Sequence, residues 1–314
     1  MYQNKWKLHA VLILGATVLY GTIKWVMKSD NQLSSPNNSS FCDDPDQDTA
    51  ALKASACPCR DPLRPLEWPD PEWHHHHKTL VERANAPMPG DSSSNNNFFD
   101  LVILGDSITE RLNGTRHLGT IELPENRNIF ESLFTKAGGG SLEALALGSS
   151  GDTSTNLLWH LQHGMLPAAT STPKVWMLLI GTNDLGRTGC SKQTTLQGII
   201  NVIQYLQQKR PQAKILVHGM LPRSEISMAK PMTEENYSIG RFWDQIQWIN
   251  LQLKDLCEQN ANLIYMEAPQ VFLLDDKVGR TKINPQTMPD GLHPSAQGLR
   301  QWGPLIVKRV LEMI

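Results

Sequence analysis

The 314-residue sequence lacks a surplus of charge of either sign. Its 29 lysine and arginine residues nearly balance 31 acidic residues, and the formal net charge is −2 at pH 7. A basic surplus of the kind that binds nucleic acid is therefore missing, as is an acidic surplus of the kind found in solvating tails. Hydrophobic residues make up 40% of the chain. The composition is that of an ordinary globular protein, long enough for one large domain or two small ones.

Cysteine is also scarce. An odd and low number of five excludes a disulfide scaffold. Cys42, Cys57 and Cys59 fall in a polar segment, where they could cross-link or stay unpaired, and both interpretations remain open. We expect Cys190 and Cys257 to be buried apolar side chains.

The apolar run from Leu8 to Met27 carries one charge, Lys24. About 20 apolar residues span a bilayer as a helix. No A-x-A cleavage site follows, so we expect a retained signal-anchor helix, with a cleaved signal peptide or a buried soluble helix as alternatives. The basic residues before and after the run weakly place the N-terminus in the cytoplasm. We therefore expect a single-pass membrane protein whose domain is luminal or extracellular.

Composition changes along the chain predict four segments. The segment after the apolar run is rich in Pro, Ser, Asn and Asp, without helical or strand periodicity, and predicts a flexible stem. The predicted segments are an N-terminal tail (1–7), the transmembrane helix (8–27), the stem (28–65) and a globular domain (66–314).

Four N-x-S/T sequons begin at Asn37, Asn38, Asn113 and Asn236. Single sequons arise often by chance. Two overlapping sequons in a stem next to a membrane are more typical of a glycosylated luminal protein.

From residue 98 onward, short apolar stretches alternate with helical patterns. This alternation predicts a parallel sheet covered by helices on both faces, because such strands are apolar throughout. We expect a three-layer α/β/α sandwich with a mostly parallel five-stranded sheet. The predicted strands are Asp100–Leu104, Ala144–Leu147, Lys174–Ile180, Ala213–Gly219 and Asn262–Glu267. The predicted helices are Glu72–Ala84, Ile129–Lys136, Ser154–His163, Lys192–Lys209, Phe242–Asn260 and Ala296–Met313.

Polar residues suited to catalysis follow several of these strands or precede the last helix. Ser107 sits in a Gly-Asp-Ser turn, Gly151 in a Gly/Ser loop and Asn183 in Gly-Thr-Asn-Asp. Asp290 and His293 share a Pro/Gly-rich loop, where a carboxylate can orient an imidazole. Each loop alone also has an ordinary interpretation as a helix cap, a turn or a solvated loop. Together they supply a nucleophile, a base, its orienting acid and oxyanion donors.

These blocks resemble, in the same order, those of the SGNH (GDSL) serine hydrolase family. The stretch from about Leu66 to the C-terminus also resembles the catalytic subunits of intracellular platelet-activating-factor acetylhydrolase. The resemblance implies a flavodoxin-like fold and no cofactor or metal. It makes Ser107 the nucleophile, His293 the base and Asp290 its orienter, with an oxyanion hole of Ser107, Gly151 and Asn183. Asp184 departs from the acetylhydrolase pattern, which tends to have a second Asn there.

The resemblance leaves the substrate open. A membrane-anchored esterase could cleave a short acyl ester of a lipid, or an acetyl ester of a luminal polysaccharide. A catalytically silent binding module on the same fold is a rival of another class. We expect a small-molecule, lipid or glycan ester as the partner, together with the membrane, and leave a homodimer open.

Other notable side chains receive structural interpretations. The four side chains of the run His74–His77 point in different directions on a helix, so they cannot all ligate one metal ion unless the helix unwinds. We expect His160 and His163 to lie on a partly exposed helix face, and His218 to be a packed polar residue. The Trp243 and Trp248 side chains belong either to the helix core or to an acyl pocket.

Overall fold

The computed structural model describes residues 59–86, 99–166, 172–228, 232–275 and 281–314. The predicted tail, membrane helix and most of the stem lie outside the described residues. Among the helices that are described, none has both the length and the apolar character needed to cross a membrane.

Helices and strands alternate along the described chain. In order, they are α1 (Pro71–Asn85), β1 (Leu101–Gly105), α2 (Ser107–Leu112), β2 (Thr115–Arg116), β3 (Ile121–Glu122), α3 (Pro124–Phe134), β4 (Ala144–Gly148), α4 (Ser154–His160), β5 (Val175–Leu179), α5 (Thr182–Gly186), α6 (Lys192–Lys209), β6 (Lys214–His218), α7 (Gly240–Glu258), β7 (Leu263–Met266), β8 (Leu273–Asp275), β9 (Thr281–Ile283) and α8 (Ala296–Leu311).

The five predicted strands form one parallel sheet in the order β4-β1-β5-β6-β7. All residues of β1 and β5, and also those of the edge strand β4, are buried, as expected for strands covered on both faces. Helix α3 packs against α8, whereas α6 packs against both α4 and α7. The predicted α/β fold with a five-stranded parallel sheet is confirmed.

The element boundaries differ from the predicted ones in a few places. Each sheet strand agrees with its prediction to within one residue at either end, and α6 agrees at both ends. Helix α3 begins at Pro124, five residues before the predicted Ile129, because proline is well suited to the first turn of a helix. The short β2–β3 and β8–β9 hairpins were not predicted, since strands of two or three residues have too little periodicity.

The core beneath α8 contains a buried polar pair. The Trp302 indole donates a hydrogen bond to His218 Nε2 at 3.0 Å, and His218 Nδ1 lies 2.7 Å from the Gly219 carbonyl oxygen, to which it donates. Burial lowers the pKa of His218 to about 4, so the ring is neutral. The prediction of a packed polar His218 is confirmed.

A disulfide bond joins Cys59 to Cys190, with the two Cα atoms 5.0 Å apart. The expectation that Cys190 is an unpaired apolar residue is therefore wrong. Sequence could not reveal this pairing, because the two residues are 131 positions apart. Cys257 is a free, buried cysteine, as predicted, and burial raises the pKa of its thiol to about 12.

The last residues of the predicted stem lie against the domain. Asn201 donates a side-chain hydrogen bond to the Pro62 carbonyl oxygen at 3.3 Å. The Leu66 N–H donates to the Thr155 carbonyl oxygen at 3.0 Å. Together with the disulfide at Cys59, these contacts fix residues 59–66 to the domain.

Removing the disulfide should lower stability. A Cys59→Ser/Cys190→Ser variant is expected to lose about 2–4 kcal/mol of unfolding free energy, because the unfolded chain gains conformational freedom. Urea denaturation of both proteins, with and without reductant, measures the difference. Reductant should lower the wild-type midpoint and leave the double variant unchanged. An unshifted wild-type midpoint would mean that the bond does not form.

Candidate active site

Ser107 occupies the first position of helix α2, directly after strand β1. Asp106 caps the helix by accepting a hydrogen bond from the Ile108 N–H at 2.9 Å. The sharp turn is possible because Gly105 lies where a Cβ atom would collide with the Leu179 backbone and the Thr109 side chain. The local sequence thus holds the Ser107 hydroxyl at the carboxyl edge of the sheet.

The structure brings Ser107, His293 and Asp290 into one hydrogen-bonded chain. Ser107 Oγ lies 2.9 Å from His293 Nε2, and His293 Nδ1 lies 2.8 Å from Asp290 Oδ2. A carboxylate can only accept hydrogen bonds, so His293 Nδ1 carries the ring proton. His293 Nε2 is then free to accept the Ser107 hydroxyl proton. The Ser107 and His293 side chains are buried, with 7% and 3% of their surface exposed. This arrangement is that of a nucleophile, a base and its orienting acid.

Hydrogen bonds within the loop that carries Asp290 and His293 hold these two side chains in position. Asp290 Oδ1 accepts the backbone N–H groups of Leu292 at 3.0 Å and His293 at 2.7 Å. Gly291 has a φ of 71°, in the left-handed region that glycine adopts most easily. With a spacing of three residues, this turn places the Asp290 carboxylate beside the His293 ring.

Charges around the base adjust both pKa values. Burial alone would raise the pKa of Asp290. Hydrogen bonds from His293 and electrostatic attraction to His293, which is protonated at acid pH, and to Arg111 instead lower the pKa well below its usual range. Arg111 Nη1 lies 3.3 Å from Asp290 Oδ2. Burial lowers the pKa of His293, a shift that Asp290 opposes and that Arg111 and Arg223 reinforce. Asp290 is thus ionised and His293 neutral at pH 7.

The predicted oxyanion donors lie on the strands next to Ser107. In the sheet register, Gly105 at the end of β1 is aligned with Gly148 of β4 and Leu179 of β5. Gly151 and Asn183 follow those two strands, so both lie at the same edge as Ser107. Gly151 has a φ of 86°, which a larger residue rarely adopts.

The hydrogen bonds of Asn183 leave a donor available. One N–H of its buried amide donates to the Asp152 carbonyl oxygen at 2.9 Å. An amide nitrogen has two N–H groups. Within the described residues, no hydrogen bond is donated by the second group, nor by the backbone N–H groups of Ser107 and Gly151. These are three donors of the kind that stabilise an oxyanion.

A buried polar cluster, not predicted from sequence, holds Asp152 in place. Its Oδ1 atom accepts a hydrogen bond from the Trp73 indole at 2.8 Å, and its Oδ2 atom lies 3.0 Å from His160 Nε2 without hydrogen-bond geometry. His160 Nδ1 in turn lies 2.8 Å from His77 Nδ1. Because the Asp152 carbonyl oxygen accepts from Asn183, the cluster fixes the position of that amide.

Of the two histidines predicted to lie on a partly exposed helix face, His163 does so and His160 does not. His160 is fully buried, so the expectation of a partly exposed face is wrong for it. His163 is exposed and its ring stacks on Trp159 at 4.0 Å between centroids. His76 Nε2 donates to the Gly148 carbonyl oxygen at 3.0 Å. Within the described residues, no group of three His, Cys, Asp or Glu side chains could hold a metal ion.

Asp184, where the sequence departs from the acetylhydrolase pattern, joins two helices. Its carboxylate accepts the Ser154 N–H at 3.0 Å and the Ser154 hydroxyl at 2.6 Å. Burial raises the pKa of Asp184 to about 6, although the bonds from Ser154 oppose the shift. Asp184 thus ties α5 to α4 and supports the turn that carries Asn183.

The fall in activity at low pH should follow the protonation of His293. A neutral imidazole accepts the serine proton, so activity is lost as the pH falls through the pKa of His293. That pKa lies below the ordinary histidine value of about 6.5. We expect kcat/KM to be constant near pH 7 and to fall only at a pH lower than about 6.5.

Two buried carboxyl groups near the site also titrate in this range. Burial raises the pKa of Asp106 to about 7 and that of Asp184 to about 6. Asp106→Asn and Asp184→Asn variants are therefore the controls. If the acid limb disappears in either variant, it belongs to that carboxyl group, and its assignment to His293 fails.

The fold and site define a class of proteins, the hydrolases that act on esters through a serine at the edge of an α/β sheet. Residues 103–301 match the model of the GDSL-like lipase/acylhydrolase family. The chain belongs to that family.

Individual relatives agree with this assignment. Over 172 residues the chain is 30% identical to the human platelet-activating factor acetylhydrolase IB subunit alpha2, a match covering 55% of this chain and 60% of the relative. It is 30% identical over 141 residues to the human subunit alpha1, covering 45% of this chain and 51% of the relative. The matches thus span little more than half the length of these relatives.

The fold is shared with solved structures. A GDSL-like lipase from Bacteroides thetaiotaomicron superposes with a TM-score of 0.53 at 18% identity, covering 77% of this chain and 100% of the lipase. At this identity the similarity concerns the fold alone.

Proposed function

We propose that this protein hydrolyses short-acyl esters, acetyl esters in particular, through an acyl-enzyme on Ser107. The observation that carries the proposal is the hydrogen-bonded chain from Ser107 through His293 to Asp290. Gly151 and Asn183 at the same sheet edge complete the set of groups that ester cleavage needs.

In the proposed reaction, His293 Nε2 takes the Ser107 proton as Oγ attacks the ester carbonyl carbon. The resulting oxyanion receives hydrogen bonds from the N–H groups of Ser107 and Gly151 and from the Asn183 amide. His293 then protonates the leaving alcohol. A water molecule, deprotonated by His293, cleaves the acyl-enzyme in the same way and regenerates Ser107. No step requires a cofactor.

The preference for a short acyl group rests on two observations. Ser107 and His293 are almost completely buried, so the surroundings of the nucleophile favour a small acyl group. The curated relatives are named acetylhydrolases. An acyl pocket lined by the tryptophans of α7 receives less support, because Trp243 packs against the hydrophobic core.

Activity profiling tests the proposal. A fluorophosphonate probe should label the folded protein at Ser107, which mass spectrometry locates. A series of p-nitrophenyl esters from acetyl to decanoyl should then show the highest kcat/KM at the shortest chains. Labelling at another serine contradicts the assignment of the nucleophile. No label and no hydrolysis would favour the rival interpretation as a binding module, and a preference for long chains would overturn the acetyl assignment.

We also propose that the protein is held to a membrane by residues 8–27, with its domain on the luminal or extracellular side. The Cys59–Cys190 disulfide supports an oxidising compartment.

The full-length protein should stay in the membrane fraction after carbonate washing. Endoglycosidase should shift its mobility if the sequons at Asn37, Asn38, Asn113 or Asn236 are glycosylated. Release by carbonate contradicts the anchor. Cleavage of the domain by protease as soon as the plasma membrane is selectively permeabilised would place the domain in the cytosol.

A further inference from the structure

The rim of the oxyanion hole carries a fixed guanidinium group. Arg187 Nη1 donates to the Gly151 carbonyl oxygen at 2.7 Å, and its Cζ atom lies 3.8 Å from the centroid of the Trp68 ring. A Cβ atom on Gly151 would lie 2.9 Å from Arg187 Nη1 and 3.0 Å from the edge of the Trp68 ring. The arginine and the tryptophan are thus immediate neighbours of a residue that we place in the oxyanion hole.

Arg187 carries a positive charge that the buried Asp152 carboxylate attracts without forming a salt bridge with it. Its side chain is exposed, and within the described ranges it forms no ion pair with a carboxylate. A guanidinium has five N–H groups, and the Gly151 carbonyl oxygen uses only one of them. The others can bind an anion, for which the planar fork of arginine is well suited.

Both partners in this stack are held in position. Arg187 is the C-terminal cap residue that follows helix α5, and Cys190 three residues later is bonded to Cys59 in the segment that leads to Trp68. Hydrogen bonds to the Leu66 backbone fix the same segment from the other side. An arginine that is already ordered loses little conformational entropy when a ligand binds.

We propose that Arg187, stacked on Trp68, forms a subsite for an anionic group on the alcohol part of the ester. This inference rests on the proposed function, in which the acyl part is too short to reach the rim. The anion is a carboxylate or a phosphate, since both match the guanidinium fork. Its contact with Arg187 would direct the scissile carbonyl toward Ser107.

Two pairs of acetyl esters, identical except for charge, test the proposal. One pair is acetyl galacturonate and its methyl ester, and the other is acetyl glycerol 3-phosphate and acetyl glycerol. Arg187→Gln should raise KM for the anionic members by about 10-fold or more, as expected for a charge-assisted hydrogen bond. KM for the neutral members should change by less than about twofold, and Arg187→Lys should recover part of the loss. The pair with the larger loss identifies carboxylate or phosphate.

Controls separate this role from an effect on the oxyanion hole. Arg300→Gln removes another exposed arginine, on α8, which pairs with Glu125, and should leave both pairs unchanged. If Arg187 only held Gly151 in place, Arg187→Gln would lower kcat equally for charged and neutral esters, which overturns the subsite. Wild-type enzyme that cleaves neutral and anionic esters equally well also overturns it, while leaving the proposed esterase intact.

Binding provides a readout that does not depend on hydrolysis. Calorimetric titration with galacturonate and with glycerol 3-phosphate should show binding to the wild type that weakens about 10-fold or more in Arg187→Gln. Equal binding to both proteins overturns the subsite even if no ester is cleaved. Absence of any ester cleavage together with Arg187-dependent binding would refute the proposed reaction and retain the anion site.

Discussion

Ser107→Ala and His293→Ala are each expected to lower kcat by about 10⁴–10⁶-fold, and the double variant should be little worse than either. The reason is the single hydrogen-bonded chain in which Ser107 Oγ lies 2.9 Å from His293 Nε2. Either change removes the same proton transfer, so a second change has little left to remove. Steady-state kinetics on an acetyl ester measures all three variants against the wild type.

Ser149→Ala is the matched control for this experiment. Ser149 is also a buried serine at the end of a sheet strand, and its hydroxyl has no hydrogen-bond partner within the described residues. Its removal should leave kcat near the wild-type value. Additive losses at Ser107 and His293 would show that the two residues act in different steps.

Asn183→Ala should lower kcat by about 10²–10³-fold, equivalent to roughly 2.7–4 kcal/mol. The amide meets full negative charge only in the tetrahedral state, so KM should change little. Asn183→Asp should be worse, because it places a carboxylate beside the oxyanion. Measuring kcat and melting temperature on the same preparations separates catalysis from folding.

Asn250 provides a matched comparison for this second experiment. Its buried amide accepts the Met220 N–H at 2.7 Å and donates to the Met220 carbonyl oxygen at 3.1 Å, so it is a structural asparagine. Asn250→Ala should lower the melting temperature and leave kcat of the folded protein near normal. If Asn183→Ala behaves in the same way, destabilised but fully active, Asn183 has no part in the oxyanion hole.

The sequence alone determined the elements whose signals are local. Five mostly apolar stretches predicted the sheet strands to within a residue, because strands covered on both faces are apolar along most of their length. The pairing of Asp290 with His293 was also accessible, since a three-residue turn brings the two side chains together. The Gly-Asp-Ser turn likewise placed Ser107 between a strand and a helix.

Only the tertiary structure decided the contacts between residues far apart in the chain. These include the bond from Cys59 to Cys190, the stack of Arg187 on Trp68 and the ion pair of Arg111 with Asp290. The members of the last pair are 179 positions apart. They meet because the loop before α8 folds back onto the helix that follows β1, and a linear pattern contains no record of which side chains then face one another.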